Sequence, residues 1–461
     1  MRRLLPTLAL GALAACSGSE LGSVVPFERT LLQTPSSVLG VLPGGTVVAE
    51  VDGQLVEIDP RRPDAEPVVV GPSADIGAIR TAVPVGDAVL VLATHAAYVV
   101  RDSTWVPSPL AGALDGPIAG AVMLAPGELW ILTESSLYRV QGGSMERLEL
   151  EGSLAGARLA AVRRAEGPAL WMLLSDRLVE VWEDRSGVLR AARLVLPGVP
   201  TAIAGDASGT GWLVLDGRLH SLGYDRRLLD HGLAAARVLA SPAAREVWSF
   251  ASDGAATLHA DGRFYAAENA SVREDELVAL GADGSLYVAG SSVRRLAPRR
   301  DVRIEGAPDG AVLVTPQVFA IVLEGAPLVE ASVGDRALEV LADPLRVMLT
   351  PAELGDGPHE LVIRVTYDDG TLPYEERRRF EVVTSATWSG HVRPIHEAHC
   401  AACHGAEGPA VTRLDTREAW MARADTIVFN VREGRMPLNR PPLSQRELAL
   451  IEAWIESGFP E

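Results

Sequence analysis

The sequence predicts a multidomain protein in which an all-β body is followed by a small all-α domain at the C-terminus. Seven copies of one strand pattern recur between residues 46 and 296, alternating strands of another kind fill residues 301–385, and helical periodicity appears only after residue 386. The chain has 461 residues and is 48% hydrophobic, so it can build more than one substantial core. We therefore expect about three domains behind an N-terminal targeting segment.

Residues 1–15 have the pattern of a secretory signal peptide. Arg2 and Arg3 precede an apolar run of 12 residues, which is too short to cross a bilayer as a mature helix. The run ends in Leu-Ala-Ala-Cys16, which resembles the lipobox of bacterial lipoproteins. That resemblance implies that Cys16 is acylated, that residues 16–25 form a lipidated tether, and that the protein is anchored on the periplasmic side of the envelope; Ser17 favours the outer membrane. The alternative is an ordinary signal-peptide cleavage site with an incidental cysteine.

A repeated strand pair organises residues 26–300. Each copy has an apolar strand of five or six residues, a polar turn and a second strand. Successive copies are spaced by 42, 40, 41, 42, 35 and 39 residues, and they begin at Thr46, Ala88, Glu128, Ala169, Gly211, Glu246 and Ser285. A period near 40 residues is typical of the four-stranded blade. We therefore predict a seven-bladed β-propeller.

Aromatic residues recur at equivalent strand positions in the later copies. We interpret them as packing between blades and not as a ligand platform; they are Trp130, Trp171, Trp212, Trp248 and Tyr287. The histidines of this region have no shared spacing that predicts a metal site; they are His95, His220, His231 and His259. The region resembles generic repeat propellers, without a Trp-Asp signature and without the motifs of pyrroloquinoline quinone dehydrogenases.

Residues 301–385 alternate apolar and polar side chains in short strands, which predicts a β-sandwich. The stretch from Gly355 to Thr371 resembles a paired-strand segment of bacterial immunoglobulin-like modules. The region has no cysteine, so alternation alone supports the prediction. We expect a spacer or docking module, with adhesive binding as the alternative.

The motif Cys400-Ala-Ala-Cys403-His404 carries the strongest chemical signal in the chain. Two cysteines three residues apart, followed at once by histidine, match the attachment of c-type haem. On one helical turn the two thiols reach the same porphyrin edge, while the histidine turns its imidazole to the iron. Three other interpretations compete, namely a redox dithiol, half of a zinc site and a structural disulfide.

Residues 386–461 resemble class I cytochrome c. The resemblance implies one covalently attached haem c, with thioether bonds to Cys400 and Cys403 and with His404 as an axial ligand of the iron. It also implies Met436, 32 residues after His404, as the second axial ligand. The alternatives are Met421 within a helical stretch over residues 416–429, or a second histidine from His391, His396 and His399. Apolar residues expected at the haem edge are Pro394, Leu414 and Pro437.

Helical spacing surrounds the motif on both sides. Ser444 and Glu447 form the pattern of a capping box. Four apolar residues then repeat with a helical period and predict a terminal amphipathic helix; they are Leu448, Ile451, Trp454 and Ile455. Val392 and Ile395 are expected to begin the helix that it crosses, and Trp420 and Ile427 to face the interior.

Charge and motif content restrict the function. The 42 basic residues are all arginine and are outnumbered by 60 acidic residues, giving a net charge of −18, so we expect no nucleic-acid partner. No pattern of a Ser-His-Asp triad or a phosphate-binding loop accompanies the haem motif. The sequence therefore predicts a membrane-anchored electron carrier, not a self-contained enzyme, that exchanges single electrons with redox proteins bearing a basic docking face. The alternatives are a propeller oxidoreductase that passes substrate electrons to the haem, and a surface adhesion or scaffold lipoprotein.

Overall fold

The computed structural model describes residues 21–62, 65–72, 76–148, 150, 153–241, 243–438 and 440–461. The predicted signal peptide, Cys16 and the first part of the tether lie outside the described residues. The chain divides into two compact units. The first extends to Arg300 and includes Asp369–Leu372; the second comprises Asp301–Asp368 and Pro373–Glu461. Within the described ranges, no helix has the length and apolar content needed to cross a membrane.

The described part of the first unit contains seven consecutive antiparallel sheets, numbered here in chain order. Sheet 1 comprises Leu39–Val41, Val47–Val51, Gln54–Ile58 and Val68–Pro72; sheet 2, Ile79–Val85, Ala88–Ala93, Ala97–Arg101 and Thr104–Pro107; sheet 3, Ile118–Ala125, Glu128–Thr133, Leu137–Gln141 and Ser144–Leu148; sheet 4, Arg158–Arg164, Gly167–Leu173, Leu178–Glu183 and Leu189–Arg193. Sheet 5 comprises Ala202–Gly205, Gly211–Leu215, Arg218–Leu222 and Leu228–Ala234; sheet 6, Arg237–Leu239, Val247–Phe250, Ala255–Ala260 and Arg263–Ser271; sheet 7, Leu277–Leu280, Leu286–Ala289 and Val293–Ala297.

The chain's first strands complete the last two sheets. Phe27–Leu32 pairs antiparallel with Val293–Ala297 as the fourth strand of sheet 7. Gly22–Val24 adds to sheet 6 through a parallel pairing with Arg263–Ser271. The first strand of sheet 7 also contacts the first strand of sheet 1, as neighbouring first strands do through most of the series. These contacts close a ring, which confirms a propeller-like fold.

Each of the seven sequence copies forms the second and third strands of one sheet. The recurrent aromatic residues are almost fully buried between sheets, as expected of packing residues, at Trp130, Trp171, Trp212, Trp248 and Tyr287. The buried indole N–H groups find acceptors. Trp130 donates to Glu128 at 3.0 Å and Trp171 to Glu180 at 3.1 Å, whereas Trp248 donates to the carbonyl of Gly284. The indole N–H groups of Trp130 and Trp171 thus give the buried carboxylates of Glu128 and Glu180 a hydrogen-bond donor.

The second unit begins with two packed sheets. One comprises Val302–Glu305, Gln317–Leu323, Arg346–Leu349 and Val340–Leu341; the other comprises Ala311–Leu313, Tyr374–Val382, Gly357–Thr366, Leu328–Val333 and Arg336–Leu338. Alternate residues of both sheets form one apolar core around Phe319, Ile363 and Phe380. Gly357–Thr366 pairs antiparallel with Tyr374–Val382, so the stretch from Gly355 to Thr371 supplies only the first of the two paired strands. A short helix, Pro351–Leu354, follows Arg346–Leu349.

Helices occupy the chain from residue 388 onward. Residues 388–404 form one helical segment built of the consecutive pieces Trp388–Val392, Arg393–Ile395, His396–Cys400 and Ala401–His404, and it is followed by Arg417–Met421, Ala424–Arg432 and Gln445–Glu456. The predicted single stretch over residues 416–429 is therefore two helices separated by Ala422 and Arg423. The capping box of Ser444 and Glu447 is present.

One apolar core joins these helices to the sandwich. Trp388, Trp420 and Trp454 are buried in it, and Val312 and Val383 of the sandwich pack against it. Arg446 on the terminal helix also binds the carboxylate of Glu381 on a sandwich strand, at 2.7 to 3.0 Å. The helices and the sandwich thus share one apolar core within the second unit.

Candidate haem site

The cysteine pair lies at the end of the helical segment 388–404. Cys400 precedes the last helical piece, and Cys403 lies within it, one turn later. Neither cysteine is in a disulfide; Cys400 is half-buried and Cys403 is exposed. Burial raises the pKa of the Cys400 thiol to about 11, against a smaller opposing effect of the Arg440 charge. Both cysteines therefore lie on one helical turn and are not joined by a disulfide.

These surroundings bear on the competing interpretations of the motif. A catalytic dithiol depends on a lowered thiol pKa, whereas the pKa of Cys400 is raised. A structural zinc ion needs four protein ligands. In the part of the chain that the structure describes, no group of three or more His, Cys, Asp and Glu side chains could hold a metal ion. Attachment of a haem requires only the two thiols and the adjacent imidazole.

The imidazole of His404 has a fixed orientation. Its Nδ1 lies 2.8 Å from the carbonyl oxygen of Thr412, and because a carbonyl can only accept, Nδ1 carries the proton. Nε2 is then the unprotonated nitrogen, with its lone pair available to bind iron. A hydrogen bond that fixes the tautomer of a ligating histidine is the usual arrangement in metal sites.

Met436 lies on the loop that follows the helix Ala424–Arg432. Gly434 ends this helix with a φ of +64°, a conformation that favours glycine. The carbonyl of Asn430 then accepts from the backbone N–H groups of Arg435 and Met436, at 2.9 and 3.1 Å. The loop backbone is therefore anchored, while Met436 as a residue remains 38% exposed.

The alternative sixth ligands have different surroundings. Met421, at the end of a helix, is 36% exposed, so exposure does not separate it from Met436. His391 accepts from the backbone N–H of Thr387 at 3.0 Å, and His399 binds Glu447 at 2.8 Å. His396 is buried between Trp388 and Trp420. His391 and His399 thus have hydrogen-bond partners, whereas the buried Nε2 of His396 has none.

Apolar side chains lie on the surface between residues 411 and 438. Val411, Phe429 and Leu438 are exposed, as are the two methionines. Among the residues expected at the haem edge, Leu414 is buried, Pro437 is half-buried and Pro394 is exposed. The two thiols and the oriented imidazole fit the attachment of a haem. Sequence reasoning did not identify Thr412, because it contributes only a backbone carbonyl, which residue type does not reveal.

A second cluster of titratable groups lies between sheets 5 and 6. His231 and His259 pack against Trp212 and Phe264, with ring centroids 4.7 to 5.4 Å apart. Burial, and then the charges of His259 and His220, lower the pKa of His231 to about 4. These histidines come from different strands, so their spacing in the sequence could not predict that they meet.

Comparisons with known proteins identify no family. No family model and no curated protein matches the sequence. Among solved structures, the extracellular domain of a protein assigned to the one-component systems of B. thetaiotaomicron aligns with a TM-score of 0.41 and 11% identity, over 80% of this chain and 60% of that one. The Neurospora crassa Pan2 WD40 domain aligns with a TM-score of 0.39 and 9% identity, over 58% of this chain and 90% of that one. PorZ, a surface component of the Porphyromonas gingivalis type-IX secretion system, aligns with a TM-score of 0.36 and 11% identity, over 75% of this chain and 56% of that one. The chain thus spans about three fifths of the first of these structures, and its fold is established by its own sheet topology.

Proposed function

We propose that this protein is a c-type cytochrome, anchored by a lipid on Cys16 to the periplasmic side of the outer membrane, that transfers single electrons. The observation that carries the proposal is the pair of unbridged cysteines on one helical turn, followed at once by an imidazole whose Nδ1 donates to the carbonyl of Thr412. Cys400 and Cys403 would hold one haem c through thioether bonds, and His404 would be the proximal ligand.

The sixth ligand is proposed to be Met436. It lies on a loop whose backbone is anchored, and the residue is exposed. The haem supplies a one-electron couple when bound, and a methionine ligand shifts such a couple towards the ferrous form. If His404 and Met436 both bind the iron, they would leave no coordination site for a substrate, and the haem would serve electron transfer.

The other domains would dock or position the haem region. Between residues 386 and 461 there are 8 arginines against 10 acidic residues, so most of the negative charge of the chain lies on the propeller-like ring and the sandwich. A redox partner with a basic face would be steered mainly by these domains. Such steering weakens with ionic strength, so electron transfer to this partner should slow as salt is added.

The proposal is tested by removing the thiols together. The full chain is produced in a bacterium that matures c-type cytochromes, and covalent haem is detected by haem staining after denaturing electrophoresis. Cys400→Ala/Cys403→Ala should abolish the stain, because both thioether bonds are lost. Cys16→Ala is the matched control and should keep the stain while the protein leaves the membrane fraction. A wild-type protein without stain would refute the cytochrome assignment, and a Cys16→Ala protein that stays in the membrane fraction would refute the lipid anchor.

A further inference from the structure

The loop after His404 is folded back onto the cysteine motif. The N–H of Ala410 donates to the carbonyl of Cys403 at 3.0 Å, and the N–H of Leu414 donates to the carbonyl of His404 at 2.8 Å. Thr412, whose carbonyl accepts from the His404 imidazole, lies between these two contacts. The loop therefore determines where the acceptor for Nδ1 stands.

Two glycines allow this close approach. A Cβ on Gly408 would lie 2.2 Å from the carbonyl oxygen of Cys403, and one on Gly405 would lie 2.5 Å from that of Ala401. Both distances are far below van der Waals contact, so larger residues would displace the loop. The path of residues 405–412 thus depends on backbone packed directly against the haem motif.

The side chain of Arg413 binds two backbone carbonyls of the same loop. Its Nη1 donates to the carbonyl of Gly405 at 2.6 Å and to the carbonyl of Gly408 at 2.5 Å. One cationic nitrogen therefore satisfies two backbone acceptors at the beginning of the loop, and hydrogen bonds with a charged donor are the stronger kind. Arg413 directly follows Thr412, so holding its side chain against Gly405 and Gly408 also restrains the Thr412 carbonyl.

We propose that Arg413 is a positioning residue for the proximal histidine, which it orients by holding the Thr412 carbonyl against Nδ1. This inference rests on the proposed function. A hydrogen bond from Nδ1–H makes the imidazole a more basic ligand. A more basic ligand stabilises the ferric over the ferrous state. Arg413 therefore lowers the reduction potential through geometry, although its positive charge, acting through space, has the opposite effect.

The geometry and the charge of Arg413 shift the reduction potential in opposite directions, so one substitution in the haem-loaded full chain distinguishes them. Arg413→Gln removes the clamp and the charge, and we expect the geometric effect to prevail. The ferrous-to-ferric ratio at a fixed applied potential should then rise about three- to tenfold; tenfold corresponds to about 59 mV for one electron. Arg413→Lys can still donate to both carbonyls and should remain close to the wild type. The control is Arg423→Gln, which removes one charge from an exposed arginine and should leave the ratio unchanged or lower it.

A second readout separates positioning from general damage. Nuclear magnetic resonance of the ferrous protein should show faster solvent exchange of the His404 ring N–H in Arg413→Gln than in the wild type, with the spectrum of the methionine-ligated iron retained. A ratio that is unchanged or falls in Arg413→Gln, or an unchanged exchange rate, would overturn the inference and leave the cytochrome assignment intact. Absence of haem from the wild-type protein would instead refute the proposed function.

Discussion

The two thiols of the haem motif differ in their surroundings, and this difference is measurable at the scale of single residues. Cys403 is exposed, whereas burial raises the pKa of Cys400 to about 11. Since the thiolate is the nucleophile, Cys400 should react slowly near neutral pH. In protein produced without haem maturation, iodoacetamide should modify Cys403 about tenfold faster or more, as measured by mass spectrometry of peptides over time. Equal rates would contradict the described burial of Cys400.

The choice between the two methionines is also a question about single side chains. Met436 stands on the loop anchored by Asn430, whereas Met421 ends a helix. We expect Met436→Ala to abolish the charge-transfer absorption of methionine-ligated ferric iron, because the sixth ligand is lost. Met421→Ala, the matched control, should keep it. If the two variants gave the reverse pattern, Met421 would be the ligand.

At the scale of elements, the capping box of the terminal helix is the clearest case. Ser444 accepts from the N–H of Glu447, and the Glu447 carboxylate accepts from the N–H of Ser444. Loss of such a cap typically costs about 1 kcal/mol. Ser444→Ala should therefore lower the free energy of opening of Gln445–Glu456 by about that amount, as measured by amide hydrogen exchange. Ser385→Ala, at an exposed position outside the helices, should cause no such loss; an unchanged opening energy in Ser444→Ala would count against the cap.

Acid sensitivity is expected where sheets 5 and 6 meet. The pKa of His231 is about 4 in the folded protein, below the ordinary value near 6.5 that applies when the chain is unfolded. The unfolded state therefore binds the proton more readily between these values, so stability should fall as the pH drops from about 6.5 to about 4.

A substitution isolates this contribution. His231→Gln cannot take up the proton, so urea midpoints of this variant should fall less steeply over the same pH range than those of the wild type. Exposed His95→Gln should follow the wild type. Parallel pH profiles for wild type and His231→Gln would show that His231 is not the source of the acid sensitivity.

At the scale of the whole molecule, the ring depends on its first two strands. Phe27–Leu32 supplies the fourth strand of sheet 7 and Gly22–Val24 pairs with sheet 6, so two strand pairings join the N-terminal segment to the last sheets of the ring. Deleting residues 21–33 should expose Val293–Ala297 as an edge and raise the rate of proteolysis of sheet 7 about tenfold or more, equivalent to about 1.4 kcal/mol. A synthetic peptide of residues 21–33 should partly restore resistance. Unchanged proteolysis would contradict closure of the ring by these two strands.

The parts of the structure that sequence predicted are those encoded locally. Each repeat copy lies on two adjacent strands because alternation and turn residues act within a dozen neighbours. The cysteine motif, likewise, is contained in one helical turn. The grouping of Asp369–Leu372 with the first unit was not predictable, because it depends on contacts between distant segments, such as the 3.0 Å hydrogen bond from Val25 to the carbonyl of Gly370. The His231 cluster and the two carbonyls bound by Arg413 were missed for the same reason.

A redox titration of the purified, matured full chain, monitored by its visible spectrum, tests most directly whether the protein carries a His/Met-ligated haem c. We expect a single one-electron transition, with low-spin bands of a covalently bound haem in both states and the methionine charge-transfer band in the ferric state. A colourless protein, or a high-spin haem that is extracted by acid and solvent, would contradict this expectation.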